Sequence, residues 1–147
     1  MTARLLVALQ FGLLVVLGFP PGTEHGRLAL ALGVMAVGGC WLGWTLAVNP
    51  PPNIHIRPVP KAGGRLVTAG PYRLVRHPMY LGVLVIGAGP VVLWLGALKL
   101  AAWLALGAVL VAKARLEEAA LIARFPEYES YRRGRRFLIP GVWKPGS

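Results

Sequence analysis

The sequence predicts an all-α integral membrane protein of about four transmembrane helices, the last two a helical hairpin with a cytosolic extension. Three observations carry this. Hydrophobic residues make up 56% of the chain and charged ones only 14%, against roughly 25% charged in ordinary soluble domains. Several apolar runs approach or exceed the about 18 residues that read as a spanning helix. Fourteen of the sixteen Lys and Arg residues lie in segments that four spans would gather on one face. A chain of 147 residues has room for a single membrane domain.

The first helix is expected over about 4–20, opened by Arg4 and closed by Pro20-Pro21-Gly22. A charged start and an apolar middle also describe a signal peptide. The sequence that follows carries no A-x-A-like cleavage pattern, so a retained helix is expected. The second helix is expected over 28–48. Its Gly39-x-x-x-Gly43 pattern, with Gly38 adjacent, predicts a small-residue face that another helix approaches closely. Trp41 and Trp44 suit an interfacial aromatic belt.

A polar connection, 49–78, separates the two halves. Prolines 50, 51, 52, 58 and 60 exclude helix through most of it. It carries Arg57, Lys61, Arg65, Arg73 and Arg76 and no acidic residue.

From Met79 to Ala112 the chain is apolar except for Lys99. As one helix it would measure about 51 Å, too long for a hydrocarbon core of about 30 Å. Two helices are therefore expected, over 79–95 and 98–124, with the break near Trp94–Lys99 and a kink at Pro90. Ala101, Ala105, Ala108 and Ala112 predict a stripe for close packing. A basic, aromatic tail, 125–147, follows.

Charge fixes the expected topology. Arg4, the 49–76 segment and everything from Lys113 onward hold fourteen basic residues, while Arg27 and Lys99 stand alone on the other side. Both termini should therefore be cytoplasmic. The same rule accounts for the net charge of +11, and no nucleic-acid partner is expected. Cys40 alone cannot form an intrachain disulfide. His25, His55 and His77 are isolated from it and from one another, so no metal site is expected. The oligomeric state is open.

One polar cluster stands out: Arg76-His77-Pro78-Met79-Tyr80, leading into the third helix. Ionisable groups beside hydrocarbon are costly and mark functional sites. Counting outward from the hairpin turn returns 76–82 and 113–118 to the same membrane face. His77 and Tyr80 should thus lie near Lys113, Arg115, Glu117 and Glu118. The plainer alternatives are interfacial anchoring for the first segment, with Pro78 in a first helical turn, and local ion pairs such as Lys113–Glu117 for the second. Phosphate-loop, dinucleotide, zinc-protease and serine-hydrolase motifs are absent from the sequence.

Two ordered blocks, Leu66-Val67-Thr68-Ala69-Gly70-Pro71-Tyr72 through Arg76-His77-Pro78-Met79-Tyr80-Leu81-Gly82, and Glu117-Glu118-x-x-Leu121 through Phe125, Tyr128 and Tyr131, resemble the isoprenylcysteine carboxyl methyltransferase family. The wider group includes phospholipid N-methyltransferases. The resemblance spans about residues 66–140. It implies S-adenosylmethionine as methyl donor, held on the cytosolic side by Arg76, His77, Pro78, Tyr80, Leu81 and Gly82 together with Glu117 and Glu118. It further implies Tyr72 and Arg115 at the reacting centre, and Arg133 and Arg136 at the acceptor or its headgroup.

Two departures bear on the acceptor. Gly134-Arg135-Arg136 stands where relatives often have Arg-Val-Pro, and the second helix has no arginine after Arg27. The expected acceptor is lipid-soluble or lipidated, methylated on a carboxylate. The alternatives are phosphatidylethanolamine N-methylation and a non-catalytic protein binding membrane lipids.

Overall fold

The computed structural model describes residues 2–20, 27–49 and 66–139. His25, His55, Arg57, Lys61, Arg65, most of the 49–78 connection and the end of the basic tail lie outside the described residues. Among the described residues five α-helices follow in order: α1 (Ala3–Gly18), α2 (Leu28–Val48), α3 (Pro78–Trp94), α4 (Ala97–Arg124) and α5 (Tyr128–Arg133). A short 3-10 turn, Gly70–Arg73, precedes α3. The described residues form no strand.

Two of these helices, α2 and α4, are long and apolar enough to cross a membrane, whereas α1 and α3 are shorter apolar helices. At 1.5 Å per residue the 28 residues of α4 extend about 42 Å, beyond a core of about 30 Å. Its length thus exceeds such a core by about two turns, and Glu117 and Glu118 lie toward its C-terminal end. The expected hairpin is present. Leu95 and Gly96 alone join α3 to α4, with Leu95 in the left-handed region at φ 27°. α3 runs through Pro90 without interruption.

Packing is most extensive between α2 and α3 and next between α1 and α4, with α3 on α4 linking the two pairs. Between apolar helices in lipid, association depends on close backbone approach rather than on water release. Gly38 provides it. A Cβ there would stand 2.7 Å from the backbone nitrogen of Ile86, and a Cβ at Gly82 would stand 3.0 Å from Leu42 Cβ. Gly39 and Gly43, expected to make this face, have open space around them. The contact thus falls one residue away from the pattern that suggested it. Likewise Ala101, Ala105 and Ala108 face outward, and the buried stripe of α4 is Lys99, Ala102, Leu106, Leu110, Lys113, Ala114 and Glu118.

Two lysines in that stripe are held by α1. Lys99 Nζ donates to the carbonyls of Val16, Leu17 and Phe19, satisfying carbonyls that the helix end leaves without partners. Lys113 Nζ donates to Gln10 Oε1 at 2.5 Å and lies over the Tyr80 ring, 5.4 Å from its centroid. Indole N–H groups tie the remaining helices: Trp41 Nε1 donates to the Pro78 carbonyl at 2.9 Å and Trp103 Nε1 to that of Leu84 at 2.8 Å.

Candidate functional site

The site is built where α3 begins and α4 ends. Pro78 starts α3, a position that tolerates proline because the first turn has no intrahelical use for its N–H. His77 is the preceding N-cap residue, so its ring projects from the helix mouth toward the passing α4. Gly70, with φ 56°, turns the chain into the 3-10 segment that delivers Tyr72 to the same place.

Glu118 is the hub. Its Oε1 receives the His77 ring Nε2 at 3.0 Å and the Tyr128 hydroxyl at 3.2 Å. Arg76 Nε stands 3.1 Å from the same oxygen, although the N–H is not aimed along a hydrogen bond. The Arg76 and His77 side chains are only 2% and 3% exposed, and that of Glu118 is 11% exposed. Buried charges persist when paired and hydrogen-bonded; Glu118 is hydrogen-bonded to His77 and Tyr128 and ion-paired with Arg76.

Glu117 is more open, with 31% of its side chain exposed. It accepts the Tyr80 hydroxyl at 3.0 Å. His77 Nδ1 is 3.7 Å away, beyond hydrogen-bond reach, so that pairing is coulombic. Tyr80 stacks beside His77, ring centroids 5.6 Å apart.

The C-terminal segment covers this cluster. The Arg76 N–H donates to the Arg136 carbonyl at 2.8 Å, and Val75 bridges Arg136. Phe137 packs edge-on to His77 at 5.3 Å and under the Arg76 guanidinium at 5.2 Å. Tyr131 donates to the Tyr72 carbonyl at 2.7 Å. From α2, Asn49 Nδ2 donates to the Tyr72 hydroxyl at 3.2 Å.

Burial alone would push the His77 pKa down. The Glu117 and Glu118 carboxylates outweigh it and hold the imidazole above its ordinary value, favouring the imidazolium. Burial, reinforced by nearby carboxylate charge, raises the Tyr72 and Tyr128 hydroxyls well above the ordinary phenol range, and burial raises Tyr131 likewise. All three hydroxyls therefore favour the protonated form, in which Tyr128 and Tyr131 donate and Tyr72 accepts from Asn49.

The structure thus brings His77, Tyr80, Glu117 and Glu118 together with Arg76, as the hairpin count anticipates, and Tyr72 joins them. Pro78 and Gly82 are buried and Leu81 half-buried along the α2–α3–α4 contact. Arg115 is exposed, and Arg133 is 75% exposed and paired with Glu129 at 3.7 Å. Arg136 takes part through its backbone carbonyl. Sequence reading missed Asn49, Tyr128 and Phe137 as site residues. The tyrosine is detectable as one of few aromatics in the basic tail. Asn49 and Phe137 give no local signal.

A sequence model of the isoprenylcysteine carboxyl methyltransferase family matches residues 32–123, more than half of the chain. A search of curated proteins finds no match, and a search of solved structures finds none. The matched span contains both halves of the cluster, from the helix before Tyr72 to the turn after Glu118. The chain belongs to the isoprenylcysteine carboxyl methyltransferase family, and is a membrane methyltransferase of that family.

Proposed function

We propose that this chain transfers a methyl group from S-adenosylmethionine to the carboxylate of a lipid-soluble, isoprenylcysteine-type acceptor. It would do so as a four-span protein with both termini cytoplasmic. One observation carries the proposal: His77 and Tyr80 at the start of α3 meet Glu117 and Glu118 from forty residues later, within the span that matches the family. On a four-span reading, fourteen of the sixteen Lys and Arg residues belong to segments on the side of that cluster, and this charge bias supports the cytosolic assignment.

The donor set fits this cofactor. Glu117 is a partly exposed carboxylate, suited to ribose hydroxyls or to an ammonium group. Glu118 is committed to Arg76, His77 and Tyr128, so its role is to position. By fixing His77 it fixes the ring on which Tyr80 stacks, and Tyr80 in turn orients Glu117. When bound, S-adenosylmethionine supplies an already activated sulfonium methyl. Orientation and exclusion of water are then what the protein must add. The tail residues Tyr128, Tyr131 and Phe137 close the site from one side. Arg133 and Arg136 remain candidates for the acceptor's headgroup and Arg115 for its carboxylate.

The protonation states favour a carboxylate acceptor over an amine. A protonated phosphatidylethanolamine amine needs a general base. The raised His77 pKa favours the imidazolium and the raised tyrosine pKa values keep those hydroxyls protonated, which leaves the partly exposed Glu117 carboxylate as the site's one candidate for such a base among the described residues. A carboxylate is ionised at neutral pH and needs no base. To test this, the purified protein is incubated with methyl-labelled cofactor and membranes and then treated with mild base. Volatile labelled methanol is the expected product. Base-stable label on phospholipid contradicts the proposal.

A further inference from the structure

At the end of α2, Asn49 is 6% exposed, and its Oδ1 is buried without a hydrogen-bond partner. Its Nδ2 is engaged, donating to the Tyr72 hydroxyl at 3.2 Å with Met79 Sδ at 3.6 Å. The Tyr72 hydroxyl therefore serves as an acceptor, and its own proton meets no acceptor among the described residues. A buried pair thus presents one uncommitted acceptor and one uncommitted donor side by side. Leaving such groups unmet is unfavourable, and each needs a reason. The pair lies within the field of Glu117, which helps raise the Tyr72 pKa and keep its proton in place.

An acceptor next to a donor is the complement of a group carrying an N–H beside a carboxylate. We propose that Asn49 and Tyr72 together recognise an α-amido or α-amino carboxylate. Asn49 Oδ1 accepts its N–H, and the Tyr72 hydroxyl donates to a carboxylate oxygen. The inference rests on the proposed carboxyl methylation of a lipidated cysteine, whose C-terminal residue has this chemistry. The methionine end of the cofactor shares it. We assign the pair to the acceptor because α2 exposes most of its apolar length, with only Ala31, Gly38 and Thr45 buried. A substrate dissolved in lipid reaches Asn49 along that helix. Asn49 would then be a specificity residue that selects cysteine-derived carboxylates over lipid carboxylates lacking the N–H.

Two acceptors and one calorimetric titration test this on the full chain in detergent. The acceptors are S-farnesyl-N-acetylcysteine and S-farnesyl-3-mercaptopropionate, the same thioether carboxylate without the N–H. Wild type should prefer the first in kcat/KM by about 10- to 100-fold, the range that one unmet buried hydrogen bond corresponds to. Asn49→Leu should bring that preference close to one while S-adenosylhomocysteine affinity holds. Asn49→Gln, which retains an amide with both an acceptor and a donor, should keep part of the preference and separates recognition from a folding defect. If Asn49→Leu instead weakens S-adenosylhomocysteine at least tenfold and keeps the preference, the pair binds the cofactor's methionine end. If both preference and affinity survive in Asn49→Leu, the inference is overturned and the carboxyl methylation stands. A wild type that binds S-adenosylhomocysteine but methylates neither acceptor overturns the carboxyl reading, and the acceptor assignment with it.

Discussion

Glu118 and Glu117 are neighbours in sequence with different work to do. Glu118 compensates two buried cationic side chains through one oxygen, Oε1. Removing it leaves Arg76 and His77 buried without that counter-charge. Breaking a buried pair from one side typically costs about 3–5 kcal/mol. Glu118→Ala should therefore lower the unfolding temperature of the detergent-solubilised protein markedly, read by thermal denaturation with tryptophan fluorescence. His77 adds a pH signature. Its folded-state pKa lies above the ordinary value of 6.5. The stabilisation it contributes is thus complete below about 6.5 and is lost as pH rises through the raised value. The unfolding temperature should fall across that alkaline interval. His77→Gln should flatten that part of the profile, and an unchanged slope contradicts the imidazolium pairing.

Among the helices, the α2–α3 contact decides whether the site is assembled. Pro78, from which α3 starts, is tied to α2 through Trp41, and Asn49 at the end of α2 reaches Tyr72. A wedge between these helices would separate Asn49 from the rest. A Cβ at Gly38 would meet Ile86 backbone, which cannot swing aside. Overpacking of this kind typically costs about 1–3 kcal/mol. Gly38→Ala should lower stability in detergent, while Gly39→Ala and Gly43→Ala, in open space, should leave it close to wild type. Equal effects at all three positions would contradict the observed helix face. The sequence showed that glycines here permit close approach but not which one is used. Gly38, Gly39 and Gly43 are equally small, and the choice depends on how α2 is rotated against α3. The alanine stripe on α4 misleads for the same reason. In an all-apolar helix, periodicity does not distinguish a lipid-facing side from a helix-facing one.

For the molecule as a whole, hydrocarbon thickness and chain length were enough to place the hairpin break within a residue or two of Leu95–Gly96. They also bring His77 beside Glu118, a contact across 41 positions. Ionisable residues are rare enough in such a chain that the few present are conspicuous. What stayed hidden were contacts carried by the backbone and by single apolar or amide side chains. The Arg136 carbonyl on Arg76, the Phe137 ring on His77 and the Asn49 amide on Tyr72 have no charge pattern or spacing to announce them. They join segments whose approach depends on the complete fold, and they make the tail after α4 part of the site. The most direct measurement is a calorimetric titration of the detergent-purified chain with S-adenosylhomocysteine. Saturable binding to wild type is expected, weakened about 10- to 100-fold in Glu117→Gln, in line with loss of a charged hydrogen-bond acceptor. Absence of binding by folded wild type, or equal affinity in the variant, would contradict a cofactor site at the meeting of α3 and α4.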